Sequence, residues 1–116
     1  MSKLPFGFEQ PEDSPGFLLW QTTTVWQRQI KKVLETHEIS HAQFVVMAIA
    51  LWFSAHHDAP TQTSIIQLSK LDKMTVSKAL KLLEVRKLIH RAEDKSDTRA
   101  KTVTLTKTGE SLIQIL

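Results

Sequence analysis

The stretch Asp72-Lys73-Met74-Thr75-Val76-Ser77-Lys78-Ala79-Leu80-Lys81-Leu82-Leu83-Glu84 leads through Leu88-Ile89-His90-Arg91 to Val103-Thr104-Leu105-Thr106-Lys107-Thr108-Gly109. In its first part Val76, Ala79, Leu80 and Leu83 recur at spacings of three and four, the signature of one buried helix face. Asp72 is suited to cap that helix, which is expected to run from Lys73 to about Lys87. After Leu88-Ile89 the period changes to two: Val103 and Leu105 alternate with Thr102, Thr104 and Thr106, as in a half-buried strand. Pairing that strand with about Leu88 to Ala92 makes a hairpin whose charged tip is Asp94 to Ala100.

Upstream, Thr61 is placed to cap a short helix with Ile65, Ile66 and Leu68 on its apolar side, and Leu71-Asp72 breaks it from the next. Two short helices so joined, the second amphipathic and basic, form a helix-turn-helix pattern, and the hairpin behind them adds a wing. The fold class expected is mainly α with a small β-hairpin wing.

Further from this centre, Ser40-His41-Ala42-Gln43 is a capping box, with Ile39 and Phe44 placed as a hydrophobic staple. It opens a helix to about Ala55 that is apolar on most faces and reads as the central core helix. Before it, Ser14-Pro15 starts a first helix to about Thr36. Its apolar residues, Phe17 to Trp20, Val25, Trp26, Ile30, Val33 and Leu34, cover more than one stripe, which implies a second burial surface such as another subunit. Residues 1–13 read as an extended N-terminal arm, and residues 14–116 as one domain whose first helix contributes to dimerisation. Thr106 or Thr108 can cap a last helix, Gly109 to Leu116.

The 116 residues allow one modest core, and a 41% hydrophobic content fits a folded globular domain. The net charge is only +3, but ten of the 15 Lys and Arg residues lie between Lys70 and Lys101, against five acids. That segment carries +5 and the remainder −2, the footprint of a phosphate-backbone binder or of a solvated charged face. Thr63 and Ser64, at the start of the third helix, and Lys70 are candidates for backbone phosphates.

The absence of cysteine excludes disulfides and thiolate metal sites. His56-His57-Asp58 is the best local metal cluster, but neighbours on a helix point about 100° apart, and the break at Ser40 separates His37 from His41. No metal or other cofactor is expected. Neither a glycine-rich phosphate loop nor a nucleophile elbow occurs, so no enzyme activity is expected. No secretory signal is visible, and the apolar run Phe44 to Phe53 is well short of the roughly 20 residues that span a bilayer. The expected compartment is the cytoplasm.

Taken together, Ser40-x-x-Gln43, Asp72 to Lys78 with Leu83-Glu84, and Asp97-x-Arg99 before Val103-x-Leu105-Thr106-x-x-Gly109 resemble the multiple-antibiotic-resistance regulator (MarR) family of bacterial transcription factors. The resemblance covers about Ser14 to the C-terminus. It implies a homodimeric repressor on a pseudo-palindromic operator in double-stranded DNA, one recognition helix per major groove. Thr75, Ser77, Lys78 and Lys81 would face the groove, with Lys73 at the start of the same helix. Arg99 would reach the minor groove, oriented by Asp97, for which an extended guanidinium is well suited. An ordinary turn ion pair is the plainer reading of Asp97 and Arg99.

Two departures stand out. Lys87 occupies a position where the family usually has glycine, so a positive φ there would strain the backbone. The family also has a long further helix that builds much of the dimer interface. Here the first helix and the terminal stub are expected to carry dimerisation, or the dimer is weak. Trp20, Trp26, Trp52 and the phenylalanines are candidates for a small aromatic effector pocket, as the resemblance implies for some members, or simply for core. A second reading of the whole is a winged-helix protein-interaction module with weak or no DNA binding.

Overall fold

The computed structural model describes Gly7, residues 9–56, 58–93 and 101–116. Five helices and one hairpin follow in order: α1 (Pro15–Glu35), α2 (His41–His56), α3 (Gln62–Ser69), α4 (Lys73–Val85), β1 (Ile89–Glu93), β2 (Lys101–Leu105) and α5 (Lys107–Ile115). Of the arm expected to be extended, Pro11–Asp13 instead forms a single 3-10 turn, closed by Ser14 N–H on the Pro11 carbonyl at 3.1 Å.

The helix starts follow the expected caps. Ser14 Oγ accepts from Phe17 N–H at 3.2 Å, Thr61 Oγ1 from Ser64 N–H at 3.1 Å, and Asp72 Oδ1 from Thr75 N–H at 2.7 Å. The capping box at α2 is reciprocal: Gln43 N–H donates to Ser40 Oγ, and Ser40 N–H to Gln43 Oε1, both at 3.1 Å. That pairing explains a glutamine in the buried set. Thr106 caps α5, which starts at Lys107, two residues before Gly109.

α2 runs through the middle, where Val46, Met47 and Ala50 meet Val76, Leu80 and Leu83 of α4, Ile65 of α3 and Val103 of β2 in one core cluster. Leu68 is a correction. It is 55% exposed at the rim of an apolar groove with Ala48, Ile49, Trp52 and Phe53, because α3 ends one residue later and, among the described residues, none covers its last turn.

In the hairpin, Ile89 pairs with Leu105 and Arg91 with Val103, antiparallel, one residue later than expected on the first strand. The tip, residues 94–100, lies outside the described residues. A contact not expected from sequence is a third rung: Val103 N–H donates to the Pro60 carbonyl at 2.9 Å, and Thr61 bridges Thr102.

α4 ends at Val85, two residues short of the expected Lys87, and the ending is geometric. Lys87 N–H returns to the Glu84 carbonyl at 2.9 Å and Leu88 N–H to the Leu83 carbonyl at 3.0 Å, the Schellman pattern. The pattern demands a left-handed residue, and Lys87 adopts φ 61°. Lysine thus keeps the conformation of a glycine, and the strain anticipated from its side chain is present. α1 ends in the same way at Glu38 (φ 56°), and α3 ends at Lys70 (φ 63°).

The one glycine held by close approach is Gly109. A Cβ there would fall onto the Leu88 carbonyl and lie 3.3 Å from the Leu105 side chain. Gly109→Ala is therefore expected to destabilise the fold by about 1–3 kcal/mol. Lys87→Gly should instead raise stability by roughly 0.5–1 kcal/mol, the left-handed cost less the extra unfolded-state freedom of glycine. Urea unfolding of the two variants checks both signs.

Candidate nucleic-acid interface

Burial of Val76, Ala79, Leu80 and Leu83 turns the opposite side of α4 outward, so Lys73, Ser77, Lys78 and Lys81 are all exposed. Lys73, Ser77 and Lys81 recur every four residues and share a line along the helix, with Lys78 beside it. Thr75 departs from the expected outward set. It is half-buried, because it is the third residue of the helix and serves the cap: its hydroxyl and then its N–H hold the Asp72 carboxyl below the usual carboxylate range.

The sequence reading passed over Met74. It is 79% exposed at the start of α4, one of the most exposed large apolar side chains among the described residues. The signal was available, since Met74 falls outside the three-and-four spacing of the buried residues.

At α3, Thr63 is exposed and Ser64 half-buried. The Ser64 hydroxyl lies 2.9 Å from Thr61 Oγ1, so it is engaged in the cap. Lys70 is exposed in its left-handed conformation. Asp97 and Arg99 lie outside the described residues.

What the structure does define is the base of the wing. Arg91 on β1 donates to Glu84 on α4 at 2.9 Å, joining the recognition-type helix to the first hairpin strand. That hydrogen bond is the main reason the Glu84 carboxyl titrates below the usual glutamate range, against a smaller upward push from burial. Behind it, Thr106 Oγ1 donates to the Lys87 carbonyl at 2.7 Å and Thr106 N–H to the Leu88 carbonyl at 3.1 Å. The end of α4, the hairpin and the start of α5 therefore meet at one point.

The tryptophans are spread over two helices. Trp20 and Trp26 stand exposed on α1, with Trp26 edge-on to His41 at 5.1 Å, and Trp52 stacks on His56 at 5.0 Å. Among the described residues no group of three His, Asp or Glu side chains is placed to hold a metal, and no helix is long and apolar enough to cross a membrane. His57, part of the best sequence-level cluster, lies outside the described residues.

This geometry, two helices in a turn with a hairpin docked behind the second, coincides with the match of residues 35–116 to the profile of the ArnR1-like, winged-helix domain family. The chain belongs to the ArnR1-like winged-helix family. The uncharacterized HTH-type transcriptional regulator YdcH of Bacillus subtilis (strain 168) is 36% identical over 102 residues, which are 88% of this chain and 69% of that protein. Among solved structures, the S. aureus MepR–DNA complex superposes with a TM-score of 0.80 at 26% identity, over 91% of this chain and 74% of that one. A mutant MarR from E. coli superposes with a TM-score of 0.80 over 88% of this chain and 72% of that one, and its 20% identity speaks for the fold alone. This ArnR1-like chain thus has the winged-helix fold, which MarR shares, and its relative YdcH is a transcriptional regulator of HTH type by name.

The Glu84–Arg91 pair yields a pH prediction. A carboxyl whose folded pKa is depressed adds stability above its unfolded pKa and loses it as pH falls through the folded value. Glu84→Gln should therefore be less stable than wild type at neutral pH. The gap should close as pH falls from the ordinary glutamate range downward, which thermal melts across an acid series would register.

Proposed function

We propose that this protein is a sequence-specific double-stranded DNA-binding regulator, acting in the cytoplasm as a repressor. It would occupy a pseudo-palindromic operator as a homodimer. α4 lies in the major groove in this reading, and the wing, residues 94–101, sits at the minor groove. The observation that carries the reading is the exposed face of Lys73, Ser77, Lys78 and Lys81 on a helix rigidly tied to the wing base by Glu84 and Arg91.

The roles divide by chemistry. Lysines are point charges for phosphate and can also reach base acceptors in the major groove, whereas Ser77 can pair with either kind of base edge. Met74 offers an apolar contact of the kind thymine methyls accept. Thr63 is free at the start of α3 to approach a phosphate, where the helix N-terminus favours an anion. Ser64 and Thr75 support this indirectly, by holding the first turns of α3 and α4. Arg99, with Asp97, enters on the strength of the family resemblance. That MepR is found in a complex with DNA supports the same reading.

Dimerisation is supported by α1, where Phe17, Leu18, Leu19, Trp20, Val25, Trp26 and Val33 are all exposed. Large exposed apolar surface is a mark of an interface. The same surface favours the second reading, engagement of a different protein. A stable monomer in light scattering that also fails to bind DNA would establish that alternative.

The decisive experiment is selection of duplexes from a randomised library, followed by gel shifts at near-physiological salt; no preference over random DNA sinks the proposal. Lys78→Ala and Lys81→Ala are expected to weaken binding. If the lost contact is to phosphate, the slope of log K against log salt falls by about 1, and if it is to a base, preference relaxes at one position. An Arg99→Ala protein that binds as tightly as wild type removes Arg99 from the interface.

A further inference from the structure

Arg86, the first residue after α4, lies in the basic block and is exposed, yet its guanidinium is engaged by backbone carbonyls. Its guanidinium reaches back 48 residues to the turn between α1 and α2. There Nη1 donates to the Glu38 carbonyl at 2.9 Å and Nη2 to the His37 carbonyl at 3.3 Å. These carbonyls belong to the turn just past the C-terminal end of α1, whose C-cap is Thr36. α1 closes with Glu38 N–H on the Glu35 carbonyl and Ile39 N–H on the Leu34 carbonyl, both at 3.1 Å, which leaves the carbonyls of residues 37 and 38 pointing onward without helix partners. The helix dipole places partial negative charge at this end, so a guanidinium fork is matched to it in both charge and geometry.

The two helix ends so joined are built alike. Each has a charged residue in the left-handed conformation, Glu38 or Lys87, followed by a buried aliphatic residue, Ile39 or Leu88. The relation is asymmetric, however. α4 is held by four buried side chains, whereas α1, with 21 residues, has only Leu34 buried among its described residues. The direction in which α1 leaves the body therefore has few determinants among the described residues, and Arg86 supplies a polar one.

We infer that Arg86 is a positioning residue: it fixes the lean of α1 against the end of α4 and does not itself contact DNA. The functional consequence rests on the DNA-binding, α1-dimer reading above. If α1 holds the partner, its angle to α4 sets the separation of the two recognition helices, and Arg86 determines which half-site spacing the dimer accepts.

The test compares the full chain with its Arg86→Met and Arg86→Lys variants. The probe is a duplex selected by the wild-type chain, made with its half-sites at the selected spacing, at one base pair more or fewer, and with one half-site scrambled. Lysine keeps the charge but cannot form the fork, so a latch predicts that both variants behave alike. Each should lose about tenfold in affinity, or about 1.4 kcal/mol, at the selected spacing and discriminate less between spacings. Each should bind the single half-site as wild type does.

Hydrogen exchange gives a second readout that needs no DNA: the Glu38 and Ile39 amides should exchange several-fold faster in both variants. An Arg86→Lys protein with wild-type spacing preference assigns the residue to phosphate and overturns the inference, as do equal losses on single and paired sites. If the wild-type chain selects no duplex, the DNA-binding reading fails by itself. Exchange then decides the latch, and unchanged Glu38 and Ile39 amides overturn it.

Discussion

The seating of α4 on α2 is the constraint from which the rest follows. Val76, Leu80 and Leu83 are fully buried against a set that includes Val46 and Met47, and each such side chain contributes roughly 1.5–3 kcal/mol relative to exposure. A rotation of α4 by one residue, about 100°, would replace these contacts with Ser77, Lys81 and Glu84. The outward face of α4 is thus determined by its inward one. Asp72 secures the N-terminal end of the same helix, and in doing so draws Thr75 away from the outward set.

The other end of α4 is a junction of three elements at Lys87 and Leu88. The Schellman turn buries Leu88 and sends the chain into β1, while the carbonyls of both residues receive Thr106 from the start of α5. Gly109 lets α5 approach this point closely. Glu84 and Arg91 then brace the first strand against the helix. The wing base therefore belongs to the same body as α4.

α1 stands apart from that body in character. Its exposed aromatic and aliphatic residues find no cover within the described chain, while Leu34 and the half-buried Ile30 dock its C-terminal part on the core. Cohesion with the winged helix comes from the helix end rather than from the helix face. There the left-handed Glu38 turns the chain into the α2 capping box, and Arg86 closes over the exposed carbonyls.

Local rules account for most of what was legible beforehand. Caps at Ser14, Ser40, Thr61 and Asp72 depend on a hydroxyl, amide or carboxylate two or three residues from an orphan N–H, and the buried face of α4 depends on a spacing of three and four; both are properties of short segments. The candidate face at Lys73, Ser77, Lys78 and Lys81 was legible for the same reason, as the complement of that buried spacing. Leu68 and Thr75 were misjudged because burial depends on what lies opposite, which a periodicity does not encode. The third rung at Pro60 and Thr61, the Glu84–Arg91 brace and the reach of Arg86 to residues 37 and 38 join positions remote in sequence or on different elements. By itself the chain thus determined its elements, their starts and the chemistry of one outward helix face. Only the tertiary structure decided which element ends meet, because those contacts form between backbone carbonyls and side chains that come together only when the core has placed them.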